Sequence, residues 1–251
     1  EVVICGQKYK YFKSREIEGK IKTLTVKRDS VNDLWLCFSV EAEVPNVVNS
    51  RPGHPVGFDF GLETYLTGSD GQRIESPEFF KQNLKEVKRL NRILSRKQQG
   101  SNNRDRAKRV YRRITNQRSA WQWKIARELV ERHAFIGLET LNIKAMQLLW
   151  GRKIGDYGFS DFVSILQYAA SKVGTQIVHV DKWYPSSQLC SACGYRFNGT
   201  KDLSVRRWIC PHCGAEHNRD VNAACNILTE ALCIAGKQQR AGRSSVKVSQ
   251  C

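Results

Sequence analysis

Four cysteines in two C-x-x-C pairs constrain this chain more than any other feature. Cys190-Ser-Ala-Cys193 and Cys210-Pro-His-Cys213 are separated by sixteen residues, and a glycine follows each pair, Gly194 and Gly214. A C-x-x-C turn presents two thiolates to one ion, and zinc takes four soft ligands at tetrahedral corners. The glycines let the chain turn tightly behind each pair. The alternatives are two unrelated reduced pairs or a redox C-x-x-C, but a redox motif rarely comes twice at this spacing. The spacing predicts a zinc ribbon. His212 and His217 are possible substitutes, but four cysteines already close the shell, so the zinc is structural and does no chemistry.

The chain has nine cysteines. An odd total with pairs at ligand spacing points to metal thiolates in a reducing compartment, not to a disulfide framework. Cys5, Cys37, Cys225, Cys233 and Cys251 show no ligand spacing and are expected to be buried free thiols.

Charge gives the next constraint. The formal net charge is +17 and the pI is near 9.7, which points to a polyanion, nucleic acid before anionic membrane. The surplus is localised: residues 80–133 hold 17 Lys/Arg against four Asp/Glu, a local charge of +13. A merely solvated surface would spread its charge more evenly. No stretch approaches the ~20 apolar residues of a membrane span. The start shows no signal peptide, since a short apolar run is followed by Lys8, Lys10 and Lys13. A cytoplasmic setting is expected. The first residue is Glu1, not Met, which reads as a fragment or a processed product.

Pattern along the chain predicts a layered α/β fold. Residues 20–44 alternate apolar and polar about a turn at 30–33, which predicts a β-hairpin that needs other strands for stability. Residues 45–55 are a linker by composition. VGFDF at 56–60 predicts a strand, followed by short extended stretches near 63–67 and 72–75. Helical spacing over 78–97 and 104–132, with a polar hinge at 98–103, predicts a basic helical hairpin. A strand at 134–138, a helix at 159–173 and a strand at 176–180 come next. After the ribbon, 219–235 predicts a last helix, and the final fifteen residues read as a frayed tail.

Three acidic residues sit where acids need a reason. Asp59 lies between Phe58 and Phe60 in a strand, Glu139 ends an apolar strand in FIGLETLN, and Asp220 opens a helix in HNRDVNAACN. Two-metal phosphodiester cleavage draws acidic oxygens from separate elements, because Mg²⁺ prefers hard ligands. Asp59 would bridge, with Glu139 and Asp220 flanking. Each also has an ordinary alternative: Asp220 as a helix N-cap, Glu139 as a surface charge at a strand end, Asp59 paired with an arginine.

Together these segments resemble TnpB, the RNA-guided nuclease of insertion sequences, and the related type V CRISPR effectors. The matching residues are GFDFGLETYLTGSDG (57–71), IGLETLNIKAM (136–146) and YPSSQLCSACGYRF with RRWICPHCGAEHNRDVNAACNI (within 184–227). The basic stretch 84–110 is similar as well, so the likeness runs from about residue 15 to 235. The resemblance implies an RNase H-like (RuvC) core with an inserted basic helical hairpin and zinc ribbon, preceded by a remnant β-barrel hairpin. It implies Asp59, Glu139 and Asp220 as the metal-binding triad for two Mg²⁺ or Mn²⁺ ions, with a guide RNA and a DNA target. Family members carry a longer N-terminal region, of which only the last hairpin, about 15–44, is expected here. A partner chain or second copy would then supply the missing recognition part.

The expected division is therefore 1–52 partial barrel and linker, 53–183 nuclease core with the hairpin at 78–132, 184–215 zinc ribbon, 216–238 final core motif, and 239–251 tail. In guided systems protein reads backbone and shape while base pairing reads sequence. Lys88, Arg89, Arg92, Arg96, Arg109, Arg112 and Arg113 are the candidate phosphate contacts on the hairpin, and Arg206 and Arg207 those on the ribbon. Trp121 and Trp123 are candidates for stacking, although helical spacing sends Trp121 to the core. The expected function is a metal-dependent DNA endonuclease. Its rivals are a non-cutting RNA- or DNA-binding module or repressor, and a transposase that joins strands with the same metal chemistry.

Overall fold

In the computed structural model the described residues are 1–41, 53–96 and 102–246. Most of the expected linker and much of the hinge between the basic helices lie outside them. Two small hairpins open the chain, β1 (Val2–Ile4) with β2 (Gln7–Tyr9), and β3 (Lys20–Arg28) with β4 (Leu34–Glu41). The second is the hairpin predicted from alternation. Its turn is set by Asp29, whose Oδ1 accepts from Val31 N and Asp33 N at 2.9 Å each. The first was not legible in sequence, because its turn places Cys5 and Gly6 at φ of 50° and 80°. Cysteine is not a residue that signals a positive-φ hairpin turn.

The centre is a mixed sheet of β5 (Val56–Phe60), β6 (Leu66–Gly68), β7 (Arg73–Ile74), β8 (Phe135–Glu139) and β9 (Gln176–Val180), in the order β7-β6-β5-β8-β9. β5, β8 and β9 are parallel; β6 and β7 return antiparallel. Between β7 and β8 come α1 (Phe79–Gln82), α2 (Leu84–Leu94) and α3 (Asn102–Arg132). The single helix expected over 78–97 is broken at Asn83, where ψ is 8°. Asp156 explains the break: its buried carboxylate accepts from Phe80 N at 2.8 Å and Lys81 N at 3.2 Å, holding α1 as a separate turn. α2 and α3 share a small core of Val87, Leu90, Ala107, Val110 and Ile114, as the basic hairpin predicted.

After β8 come α4 (Ile143–Tyr157) and α5 (Phe159–Val173). α4 had no counterpart in the sequence reading. It is kinked at Trp150 and leaves Leu148 and Leu149 exposed, so its apolar residues do not follow one helical stripe. The ribbon strands β10 (Arg207–Ile209) and β11 (Glu216–Asn218) follow β9, and α6 (Arg219–Val246) closes the fold. α6 runs past the residue 235 expected from apolar periodicity; its polar extension carries too few apolar residues to mark a helical face. Among the described residues no helix is long and apolar enough to cross a membrane.

Strand alternation sorts the sheet into two faces. Phe58, Phe60, Ile136 and Leu138 point to one, against Phe159, Phe162 and Leu166 of α5 and against Tyr65. Burying such side chains stabilises by about 1.5–3 kcal/mol each. The other face is covered by α6, with Ile227, Ala231 and Ala235 against Val178 and Val180.

Candidate active site and metal sites

Gly57 and Gly137 determine how α6 lies. A Cβ at Gly57 would sit 2.3 Å from the Ala224 carbonyl oxygen and 2.6 Å from Leu228 N; one at Gly137 would sit 2.8 Å from Ala231 Cβ. Asp59 and Glu139 lie two residues beyond these glycines on their strands, so alternation places them on the same face. Asp220 precedes Ala224 by one helical turn, which brings the start of α6 to the C-terminal ends of β5 and β8. The three acids predicted from sequence come from three separate elements and gather at one end of the sheet.

Their surroundings separate the alternatives. The N-cap of α6 is Asn218, whose Oδ1 accepts from Asp220 N and Val221 N at 3.2 Å each, so Asp220 is not the cap. Glu139 is no free surface charge: its Oε1 accepts from Phe60 N at 3.2 Å, and burial pushes its carboxyl up to about 7. Burial, then the charges of Glu139 and Asp220, hold Asp59 well above the usual carboxylate range, against a pull from Arg219. Asp59 is thus the member that feels both others. Arg206 of the ribbon reaches Asp220 at 3.6 Å and Glu63 at 2.6 Å.

The carboxylates do not form a cage for a single ion. Among the described residues, the one group with every donor within 4.8 Å of the rest is Cys190, Cys193, Cys210 and Cys213. Two ions about 3.5–4 Å apart accept donors spread more widely than one ion does. A set of three hard oxygen ligands fits Mg²⁺ or Mn²⁺ rather than a soft metal.

The cysteine group fits zinc closely. Cys190 Sγ lies 3.7 Å from Cys213 Sγ, and Cys193 Sγ 3.7 Å from Cys210 Sγ. Four sulfurs at about 2.3 Å from a tetrahedral ion would be ~3.8 Å apart, whereas a disulfide needs about 2.05 Å. The expectation of buried thiols elsewhere is corrected at four positions: Cys5, Cys37 and Cys233 are exposed and Cys225 is half-buried, while Cys251 lies outside the described residues. Cys5 and Cys37 belong to two-stranded hairpins with no core over them, and Cys233 faces outward from α6.

Two residues that sequence reasoning missed bolt the ribbon to α6. Asn222 donates to the Leu189 carbonyl at 2.7 Å and accepts from Ser191 N at 2.9 Å. Asn226 donates to the Ser186 and Leu189 carbonyls at 2.8 and 2.7 Å. Both asparagines are buried. The available signal was a pair of asparagines four apart within a helix, where that residue is otherwise unfavourable.

The basic candidates divide. Lys88, Arg89, Arg92, Arg96 and Arg109 are exposed on the outer face of the helical hairpin, and Arg207 is exposed on the ribbon. Arg112 is instead engaged with Asp29 at 2.8 Å and with Asp33, tying the helices to the β3–β4 turn. Arg113 pairs with Glu86 at 2.8 Å. Trp121 packs edge-on to Tyr65 in the core, while Trp123 meets Tyr168 with the Arg127 guanidinium 5.8 Å from its ring.

The fold and site define a mixed α/β protein with clustered carboxylates at its strand ends and a thiolate ribbon joined to the same helix. Residues 37–149 match the IS605 OrfB family model, described as "Probable transposase", and residues 159–227 match "Cas12f1-like, TNB domain". A Streptomyces pristinaespiralis protein named "Putative RNA-guided DNA endonuclease" is 33% identical over 90% of this chain and 59% of its own length. The "Putative RNA-guided DNA endonuclease InsQ" of Escherichia coli K12 is 32% identical over 93% of this chain and 63% of its own. The chain therefore spans roughly three-fifths of these relatives. Its fold is similar to that of Cas12f1 in a complex with sgRNA and target DNA, with a TM-score of 0.51, 19% identity, and coverage of 81% of this chain and 55% of that one. A CRISPR-Cas12f ternary complex gives a TM-score of 0.53 at 20% identity, covering 84% and 46%. Over most of its described length the chain is similar to IS605 OrfB-type sequence and to Cas12f1-like TNB sequence.

Proposed function

We propose that the chain is the catalytic portion of an RNA-guided DNA endonuclease with an RNase H-like, RuvC-type core at 53–183 and 216–238. The observation that carries this is the gathering of Asp59, Glu139 and Asp220 from three elements, with Asp59 held above its ordinary range by burial and then by the charges of the other two. Such repulsion in one small site is relieved by cations. When bound there, Mg²⁺ or Mn²⁺ ions supply an activated water and counter-charge for the leaving oxygen. Asp59 would be the shared ligand, since the charges of both neighbours act on it; the Phe60 N–H orients Glu139, and α6 presents Asp220. Arg206 holds Asp220 from the ribbon side and is placed to meet a phosphate.

The names of the relatives support RNA and DNA as partners. The exposed cations of the basic hairpin would grip backbone phosphates without reading sequence. The ribbon, 184–215, would take zinc as a structural staple.

The test is cleavage of DNA complementary to the copurifying RNA, with and without divalent ions. Cleavage that requires Mg²⁺ or Mn²⁺ and disappears in Asp59→Ala, with zinc content unchanged, is the expected result. Full-rate cleavage in Asp59→Ala would overturn the assignment. Bound RNA without any cutting would favour a binding module, and joined rather than broken products a transposase.

A further inference from the structure

Trp183 is the most exposed tryptophan among the described residues, 78% open to solvent. It lines an open recess of about 260 Å³ together with Phe60, Leu141, Met146, Lys182 and the carboxylate residue Glu139. A bulky indole left in water forgoes a large burial term, and here it stands beside the acidic cluster. Its backbone is held in a hydrogen-bonded turn. Trp183 N donates to Asp181 Oδ1 at 2.7 Å and Tyr184 N to the Asp181 carbonyl at 3.0 Å, in a turn that leaves β9 directly. Tyr184 packs against the cluster under α6, pinning the far side of the turn. The Lys182 ammonium lies 5.0 Å from the indole centroid.

We propose that Trp183 and Lys182 form a stacking platform that holds one unpaired nucleotide of a single strand beside Glu139. This rests on reading the carboxylate cluster as a nucleic-acid site. The indole takes the base by its π-face, the apolar wall of Phe60, Leu141 and Met146 closes the recess, and Lys182 neutralises the attached phosphate. A duplex cannot use the platform, because its bases are already stacked on one another; an unpaired strand can. The net charge of +17 favours a polyanionic occupant over an apolar peptide segment.

The test measures binding of short single-stranded and duplex DNA to the full chain, with Ca²⁺ in place of Mg²⁺. High salt suppresses phosphate-only binding. Trp183→Ala is expected to weaken single-strand binding by roughly 5- to 150-fold, the range that stacking one base spans, with duplex binding unchanged. Trp183→Phe should retain most of the affinity. Equal single-strand affinity in Trp183→Ala, or equal loss for both DNA forms, overturns the proposal. Should the alanine variant fail to fold, 2-aminopurine in the strand gives the answer: quenching on binding the parent chain that is lost in Trp183→Phe supports the platform, and no quenching sinks it. Neither readout needs cleavage. A chain that binds through Trp183 but never cuts overturns the endonuclease reading alone; one that cuts through Asp59 with no Trp183 effect overturns the platform alone.

Discussion

Gly57 and Gly137 are register partners on neighbouring parallel strands, and both lie beneath α6 at distances no side chain tolerates. The helix that carries Asp220 is seated on two missing methyl groups. Gly57→Ala would press its Cβ onto helix backbone, Ala224 O and Leu228 N, whereas Gly137→Ala would meet mainly the Ala231 methyl. The Ala231 Cβ is fixed to its own backbone as well, but the overlap there is smaller, 2.8 Å against 2.3 Å. Gly57→Ala is expected to destabilise by about 1–3 kcal/mol and Gly137→Ala by less. Cleavage by folded Gly57→Ala should fall further than its lost stability explains, since Asp220 moves with the helix. Urea denaturation and cleavage rates at a temperature where both variants are folded check this ordering.

On the proposed reading, Asp59 trades stability for function. Its charge is buried among two other carboxylates, so Asp59→Asn removes repulsion. Without divalent ions the variant is expected to melt above the parent, by an amount on the order of 1 kcal/mol or more. Parent protein should gain stability on adding Mg²⁺ and the variant should gain little. A variant that melts lower than the parent in EDTA would contradict the crowded-carboxylate picture.

The carboxyl of Glu139 is pushed up to about 7 from an ordinary value of 4.5. Between those values the folded chain binds more protons than the unfolded one, so this group's contribution to metal-free stability is lost as pH rises through that window. Glu139→Gln should flatten that slope. Cation binding must expel the same proton, so divalent affinity is expected to climb with pH from 5 to about 7. Calorimetric titration with Mn²⁺ at several pH values measures this; affinity independent of pH from 5 to about 7 would exclude Glu139 as a ligand.

Zinc should matter to catalysis without taking part in it. Asn222 and Asn226 couple the ribbon to the first turns of α6, where Asp220 lies. Asn222→Ala takes the acceptor from Ser191 N and leaves the Leu189 carbonyl with the Asn226 amide alone, a change of about 1–3 kcal/mol. It is expected to lower cleavage while zinc content stays at one ion per chain. Removing zinc with a chelator should do the same more completely and be reversed by adding zinc back. Undiminished cutting by the zinc-free chain would show that the ribbon does not position the acid.

Two kinds of information met in this protein. Local chemistry was legible in the residues themselves. A C-x-x-C pair announces its ligand geometry, alternation announces β3 and β4, and an acid between Phe58 and Phe60 announces that something must face it. Helix α5 and strand β9 fall where periodicity put them, because their buried faces are regular. The family likeness rested on those same short motifs. Elements with weak or non-local signals escaped: α4 exposes its leucines, α1 exists because Asp156 caps it from another helix, and α6 continues on polar residues.

Contacts between distant residues were decided only by the tertiary structure. Arg112, a phosphate candidate by sequence, is ion-paired across the fold with Asp29 and Asp33, and Asn218 rather than Asp220 caps α6. Trp183 became a candidate because folding left it in water beside Glu139. The physical reason is range. Propensity, spacing and charge act within a few residues and are written in the chain, whereas desolvation and ion pairing depend on which surfaces the fold brings together.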